Sequence, residues 1–134
     1  MVKVAIQSVA HGKFVCAEAD GRAVCNRDAV GAWETFKIKD HDDSDSKIGF
    51  QSVHGLWLSA QPEDQEFKCD FAGENLDIWE YFNVEQAGDG IVYLKTDHGR
   101  YFSAQPDSDD SIPADRENTG EWEQFRIMVV FPAE

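Results

Sequence analysis

One short pattern occurs three times in this chain, and that repetition limits the available folds more than any other feature. A His-Gly pair stands at His11-Gly12, His54-Gly55 and His98-Gly99. An aromatic and an apolar residue follow each time, as Phe14-Val15, Trp57-Leu58 and Tyr101-Phe102, and then comes Ala17, Ala60 or Ala104. A Trp-Glu-x-Phe element recurs at 33–36, 79–82 and 122–125, with Ile38, Val84 or Ile127 two positions beyond it. Val4, Ile48 and Val92 open the copies at a spacing of 44 residues. Self-similarity at a fixed period is the signature of a repeat architecture. The 134 residues divide into units 1–46, 47–90 and 91–134, with no linker between them, and one domain is expected to span them all.

Each unit reads as four short strands. In the first, residues 4–8 alternate apolar and polar, as a half-buried strand does. His11-Gly12 is a turn, 13–18 a second strand, Asp20-Gly21 another turn, 22–26 a third strand, and 33–39 the fourth. No segment carries a helical period. The chain is therefore predicted to be all-β, with four strands in each of three units and twelve in total. Exposed strand edges must be closed or covered. Propellers typically need four to eight blades, so three copies point to a β-trefoil, a six-stranded barrel capped by three hairpins. The triads Ile6/Phe50/Leu94, Val15/Leu58/Phe102 and Phe36/Phe82/Phe125 are expected to fill its core.

What recurs in every unit is best explained by the fold. The Trp-Glu-x-Phe elements are expected in core and hairpin packing, with their glutamates as surface or cap groups. The three His-Gly histidines are expected at turns, exposed or bonded locally. Related turns spread around a threefold axis, which does not bring three imidazoles onto one ion, so no metal is expected. By alternation Phe14, Trp57 and Tyr101 point away from the core. They either pack beneath the hairpins or, at Trp57 and Tyr101, offer a face on which a sugar ring stacks. No Gly-x-Ser-x-Gly, Walker loop, His-Glu-x-x-His or Cys-x-x-Cys motif is present. The chain reads as a binding module rather than an enzyme, with no cofactor.

Charge narrows the partners. Twelve Lys and Arg against 26 Asp and Glu leave a net charge of −14, shared as −2, −7 and −5 between the units. Nucleic acid and anionic membrane surfaces both require clustered cations. At 42% hydrophobic and 12% aromatic the chain is too apolar for a disordered acidic tail. No apolar run is long enough to span a membrane, and the start at Met1-Val2-Lys3-Val4 lacks the pattern of a signal peptide. A cytoplasmic location is expected, with Cys16, Cys25 and Cys69 as reduced thiols. Cys16 and Cys25 lie where a hairpin could oppose them. The acidic stretches 40–45, 61–66 and 105–111 read as solvated loops. The first has neither the Gly at position six nor the Glu at position twelve of an EF-hand loop.

The motif set resembles a known group. His-Gly-Lys-Phe-Val-Cys-Ala at 11–17, His-Gly-Leu-Trp-Leu-Ser-Ala at 54–60 and His-Gly-Arg-Tyr-Phe-Ser-Ala at 98–104 are similar to the Gly-Lys-Tyr-Leu-Ser-Ala element of fascin-like β-trefoils. The Trp-Glu-x-Phe element completes that likeness. The resemblance implies binding or bundling of actin filaments. On a chain this acidic, such binding would use the more basic first unit: Lys3, Lys13, Arg22, Arg27, Lys37 and Lys39. The alternative is a carbohydrate-binding module or lectin, using Trp57 and Tyr101.

Overall fold

Six strands join edge to edge into a closed ring. The structure is a computed structural model and describes residues 2–41, 44–104 and 113–130. The strands are β1 (Lys3–Ser8), β2 (Phe14–Ala17), β3 (Ala23–Arg27), β4 (Phe36–His41), β5 (Ser44–Gln51), β6 (Trp57–Ala60), β7 (Cys69–Gly73), β8 (Phe82–Gly88), β9 (Ile91–Lys95) and β10 (Phe125–Val129). Every pairing is antiparallel. The ring runs β1–β4–β5–β8–β9–β10 and returns to β1. Closure removes the free edges that an open sheet would expose. The β2–β3 and β6–β7 hairpins cap two units. The chain is a β-trefoil.

Ten strands, not twelve, are present among the described residues. In the third unit the hairpin shrinks to a bridge between Tyr101 and Arg116, beside a Ser103 N–H that donates to the Pro113 carbonyl at 3.2 Å. Pro113 has no N–H to return, so a ladder cannot extend through it. The stretch 105–111 and, within the acidic run at 40–45, residues 42–43 lie outside what the structure describes.

The fourth strand of each unit starts later than its sequence pattern suggests. Trp33, Trp79 and Trp122 sit in short 3-10 turns, Ala32–Glu34, Ile78–Glu80 and Glu121–Glu123. The cause is the glutamate, which folds back as a cap. Glu34, Glu80 and Glu123 accept the backbone N–H of Gly31, Asp77 and Gly120 at 2.7, 2.9 and 2.6 Å. The second oxygen accepts the Ser59 hydroxyl on Glu80 (2.5 Å) and the Ser103 hydroxyl on Glu123 (2.6 Å). The three carboxylates are buried, not on the surface. The tryptophans do not reach the core; Trp33 is 39% exposed.

All nine side chains of the three expected triads are fully buried. Aromatic rings link them: Phe50 to Phe82 at 6.1 Å, Phe82 to Phe102 at 6.4 Å, Phe102 to Phe125 at 5.3 Å. Phe36 stacks on Phe71 at 5.1 Å. Among the described residues no helix is long and apolar enough to cross a membrane.

The cysteines are buried and free. Cys16 pairs with Val24 and Cys25 with Val15, so the two thiols do not oppose each other. Cys25 joins the core, whereas Cys16 bonds the Glu34 carboxylate where units two and three have serine. Burial is the main cause that pushes both thiols up from 9.0 to about 12. Cys69 is also raised, by burial and then by the Asp70 charge.

Two outcomes are expected. Phe82→Ala should cost about 3–5 kcal/mol, read from urea unfolding. The thiols impose an alkaline limit, because a folded-state pKa above the unfolded one gives stability that is lost as pH rises. Stability should fall from about pH 8.5 upward, as the unfolded chain releases its thiol protons first. Equilibrium unfolding at several pH values checks this. A Cys25→Ala chain should show a shallower decline.

Candidate functional site

The His-Gly turns hold neighbouring units together and thereby position the surface between them. Gly12, Gly55 and Gly99 adopt φ of 68°, 87° and 80°, a region open to glycine at little cost. The imidazole beside each glycine reaches into the unit before it, that of unit one into unit three. His11, His54 and His98 donate from Nε2 to the carbonyls of Ala104, Ala17 and Ala60 at 3.0, 3.1 and 2.9 Å. A carbonyl only accepts, so Nε2 carries the proton in all three. The same rings lie against Trp122, Trp33 and Trp79 at 5.9, 5.3 and 5.2 Å. These histidines are therefore bonded across units rather than locally, each to a different carbonyl. Among the described residues no His, Cys, Asp and Glu cluster is arranged to hold a metal ion.

Trp79, which carries the His98 ring, also lines a groove of about 790 Å³ between units one and two. One wall is the β2–β3 turn with Asp20 and Gly21, and the other runs through Glu74, Asn75, Asp77, Ile78 and Trp79. The walls meet where the Phe71 N–H donates to the Gly21 carbonyl at 2.7 Å. Gly21 is required there. Its φ is 98°, and a Cβ would stand 3.2 Å from the Phe71 carbonyl oxygen. Ile78 is 60% exposed and Trp79 half-buried, forming an apolar strip. The Asp20 carboxyl is held below its usual range, first by the Arg22 backbone N–H and further by the Arg22 side chain. The groove thus joins an apolar strip to carboxylate acceptors and an amide. That combination suits a neutral, hydroxyl-rich ligand, whose O–H groups donate to carboxylates while its C–H faces rest on Ile78 and Trp79.

The residues singled out in the sequence fall elsewhere. Trp57 and Tyr101 occupy equivalent places on different hairpins, both half-buried. The Trp57 ring covers Gly49, where a Cβ would stand 3.3 Å from it. The Tyr101 hydroxyl donates to Glu85 at 2.8 Å, and its ring lies edge-on to Tyr93 at 6.0 Å. That bond to Glu85 is the leading cause of a raised phenol pKa. Of the unit-one cations, Lys13 pairs with Asp28, Arg22 with Asp20 at 2.9 Å, and Arg27 with Glu18 at 2.7 Å. Lys3 and Lys37 oppose each other across β1 and β4, and Lys39 is exposed on β4. The groove itself escaped sequence reasoning, though one signal was visible. The residue before each repeated tryptophan is Ala32, Ile78 or Glu121, and only Ile78 puts a large apolar group there.

Comparison with known proteins supports the architecture. No protein-family model matches this chain, and no curated protein matches it in sequence. Solved structures do. A designed three-fold symmetric protein, ThreeFoil, superposes with a TM-score of 0.78 at 15% identity, over 94% of this chain and 97% of its own. SeviL bound to the asialo-GM1 saccharide gives 0.80 at 10% identity, over 98% and 99%. The BEL β-trefoil gives 0.79 at 10% identity, over 96% and 93%. The likeness establishes the β-trefoil; it does not single out the fascin-like group.

His98→Ala should remove one inter-unit bond and loosen Trp79. A loss of about 1–2 kcal/mol is expected by urea denaturation, with a change in tryptophan fluorescence.

Proposed function

We propose that this protein is a non-catalytic carbohydrate-binding module whose site is the groove between units one and two. The observation that carries the reading is the exposed strip of Ile78 and Trp79 beside Asp20, Glu74, Asn75 and Asp77. Sugars are recognised by that pairing of an apolar platform with a few convergent polar groups. SeviL, a chain of the same fold, is bound to the asialo-GM1 saccharide, which supports the reading. The actin reading has less support. Three of the six unit-one cations already hold a carboxylate of this chain, and the net charge of −14 opposes an acidic filament.

Titration calorimetry with neutral oligosaccharides, chosen from a glycan array, tests the proposal. Asn75→Ala and Ile78→Ser alter exposed groove residues and should leave the fold intact. Each should weaken binding by roughly tenfold. Salt should matter little, because the contacts are uncharged on the ligand side. Absence of binding to any glycan, or binding indifferent to both substitutions, would sink the idea. Salt-sensitive co-sedimentation with actin filaments would instead revive the alternative.

A further inference from the structure

A second cleft abuts the groove and has the opposite charge. It holds about 390 Å³ and shares Ile78 as a wall with the first. Lys47 on β5, Asn83 on β8 and Lys95 on β9 stand directly opposite one another in register, forming one row across three strands. Their neighbours Ile48, Phe82 and Leu94 point into the core, so the row faces outward. Strands lie about 4.8 Å apart, which puts the two lysine backbones about 10 Å from each other. Both long side chains can converge on one bound group between them.

The surroundings add donors. The Ser46 hydroxyl donates to the Asn83 Oδ1 at 2.8 Å, leaving the Asn83 NH₂ to donate. Thr96 Oγ1 accepts the backbone N–H of His98 and Arg100, so its own proton is left to give. His41 lies on the same wall, edge-on to Tyr81 at 4.7 Å. Asp97 is the carboxylate at the rim, and among the described residues neither lysine forms an ion pair with it or with any other acid. Unit two has only two Lys or Arg residues, Lys47 and Lys68, against nine acids. Placing one of them beside Lys95 rather than beside an acid runs against the composition of the chain.

We propose that this cleft binds a tetrahedral oxyanion, a sulfate or phosphate group, carried on a sugar whose ring lies in the adjoining groove. Lys47 and Lys95 supply the charge, and Asn83 and Thr96 supply directed hydrogen bonds to the remaining oxygens. The sugar part rests on the function proposed above; the oxyanion site does not.

An amide-resolved NMR titration with inorganic sulfate and inorganic phosphate, against chloride at matched ionic strength, tests the cleft alone. Saturable shifts are expected at Lys47, Asn83 and Lys95. Lys47→Gln and Lys95→Gln should each weaken binding roughly tenfold, while Lys68→Gln, exposed and outside the cleft, should leave it unchanged. Shifts that chloride reproduces, or that survive both substitutions, overturn the site. Hexose 6-sulfate and hexose 6-phosphate then probe the sugar and separate the two esters. Tighter binding than the inorganic ion, reduced by Asn75→Ala, supports a ligand spanning both. Equal affinity with no effect of Asn75→Ala removes the sugar and leaves the oxyanion site standing.

Discussion

The ring closes where the first strand meets the last. Five consecutive pairs, from Val4 with Val129 to Ser8 with Phe125, join β1 to β10. Without that seam both strands would be open edges, and the phenylalanines behind them would face water. No unit can bury its own apolar residues, because each contributes one member to every triad. The core exists only when all three are assembled, as in other repeat proteins whose units cannot stand alone.

The polar features that recur in every unit serve this closure. Three glutamates cap three 3-10 turns, and three histidines bond carbonyls of the neighbouring unit. A buried carboxylate is tolerated only with its hydrogen bonds made. The serine hydroxyls and turn N–H groups make them. Where unit one replaces serine with Cys16, the weaker thiol donor takes the same place beside Glu34. Function, by contrast, is free to occupy positions the threefold pattern leaves variable. The acid-lined groove adds Asp20, Asn75 and Ile78 at such positions to the recurring Trp79, the lysine cleft adds Lys95, and the two meet at Ile78. The fold does not choose a ligand; the side chains at these junctions do.

Much of the core was legible in the sequence. Strand alternation assigns Ile6, Phe50 and Leu94 to one face, and the repeat period aligns them without coordinates. The tryptophans were less legible, because their aromatic character suggested burial while the adjacent glutamate, folding back onto the chain, turned them outward. The histidines looked local, because their partners lie 37 to 93 residues away. The basic residues of unit one looked like a patch until Asp28, Asp20 and Glu18 came to rest beside them.

The sequence by itself determined that three units share one architecture, which residues face inward, and that the chain is strongly acidic. These properties are written in local periodicity and composition, which survive without knowledge of distant neighbours. Only the tertiary structure decided that the Asp20-Gly21 turn would meet β7 across the Phe71 bond. Only it placed Lys47 and Lys95 on either side of Asn83. Both depend on hydrogen bonds between segments far apart in the chain, and such register is set by the closing of the barrel rather than by any one segment.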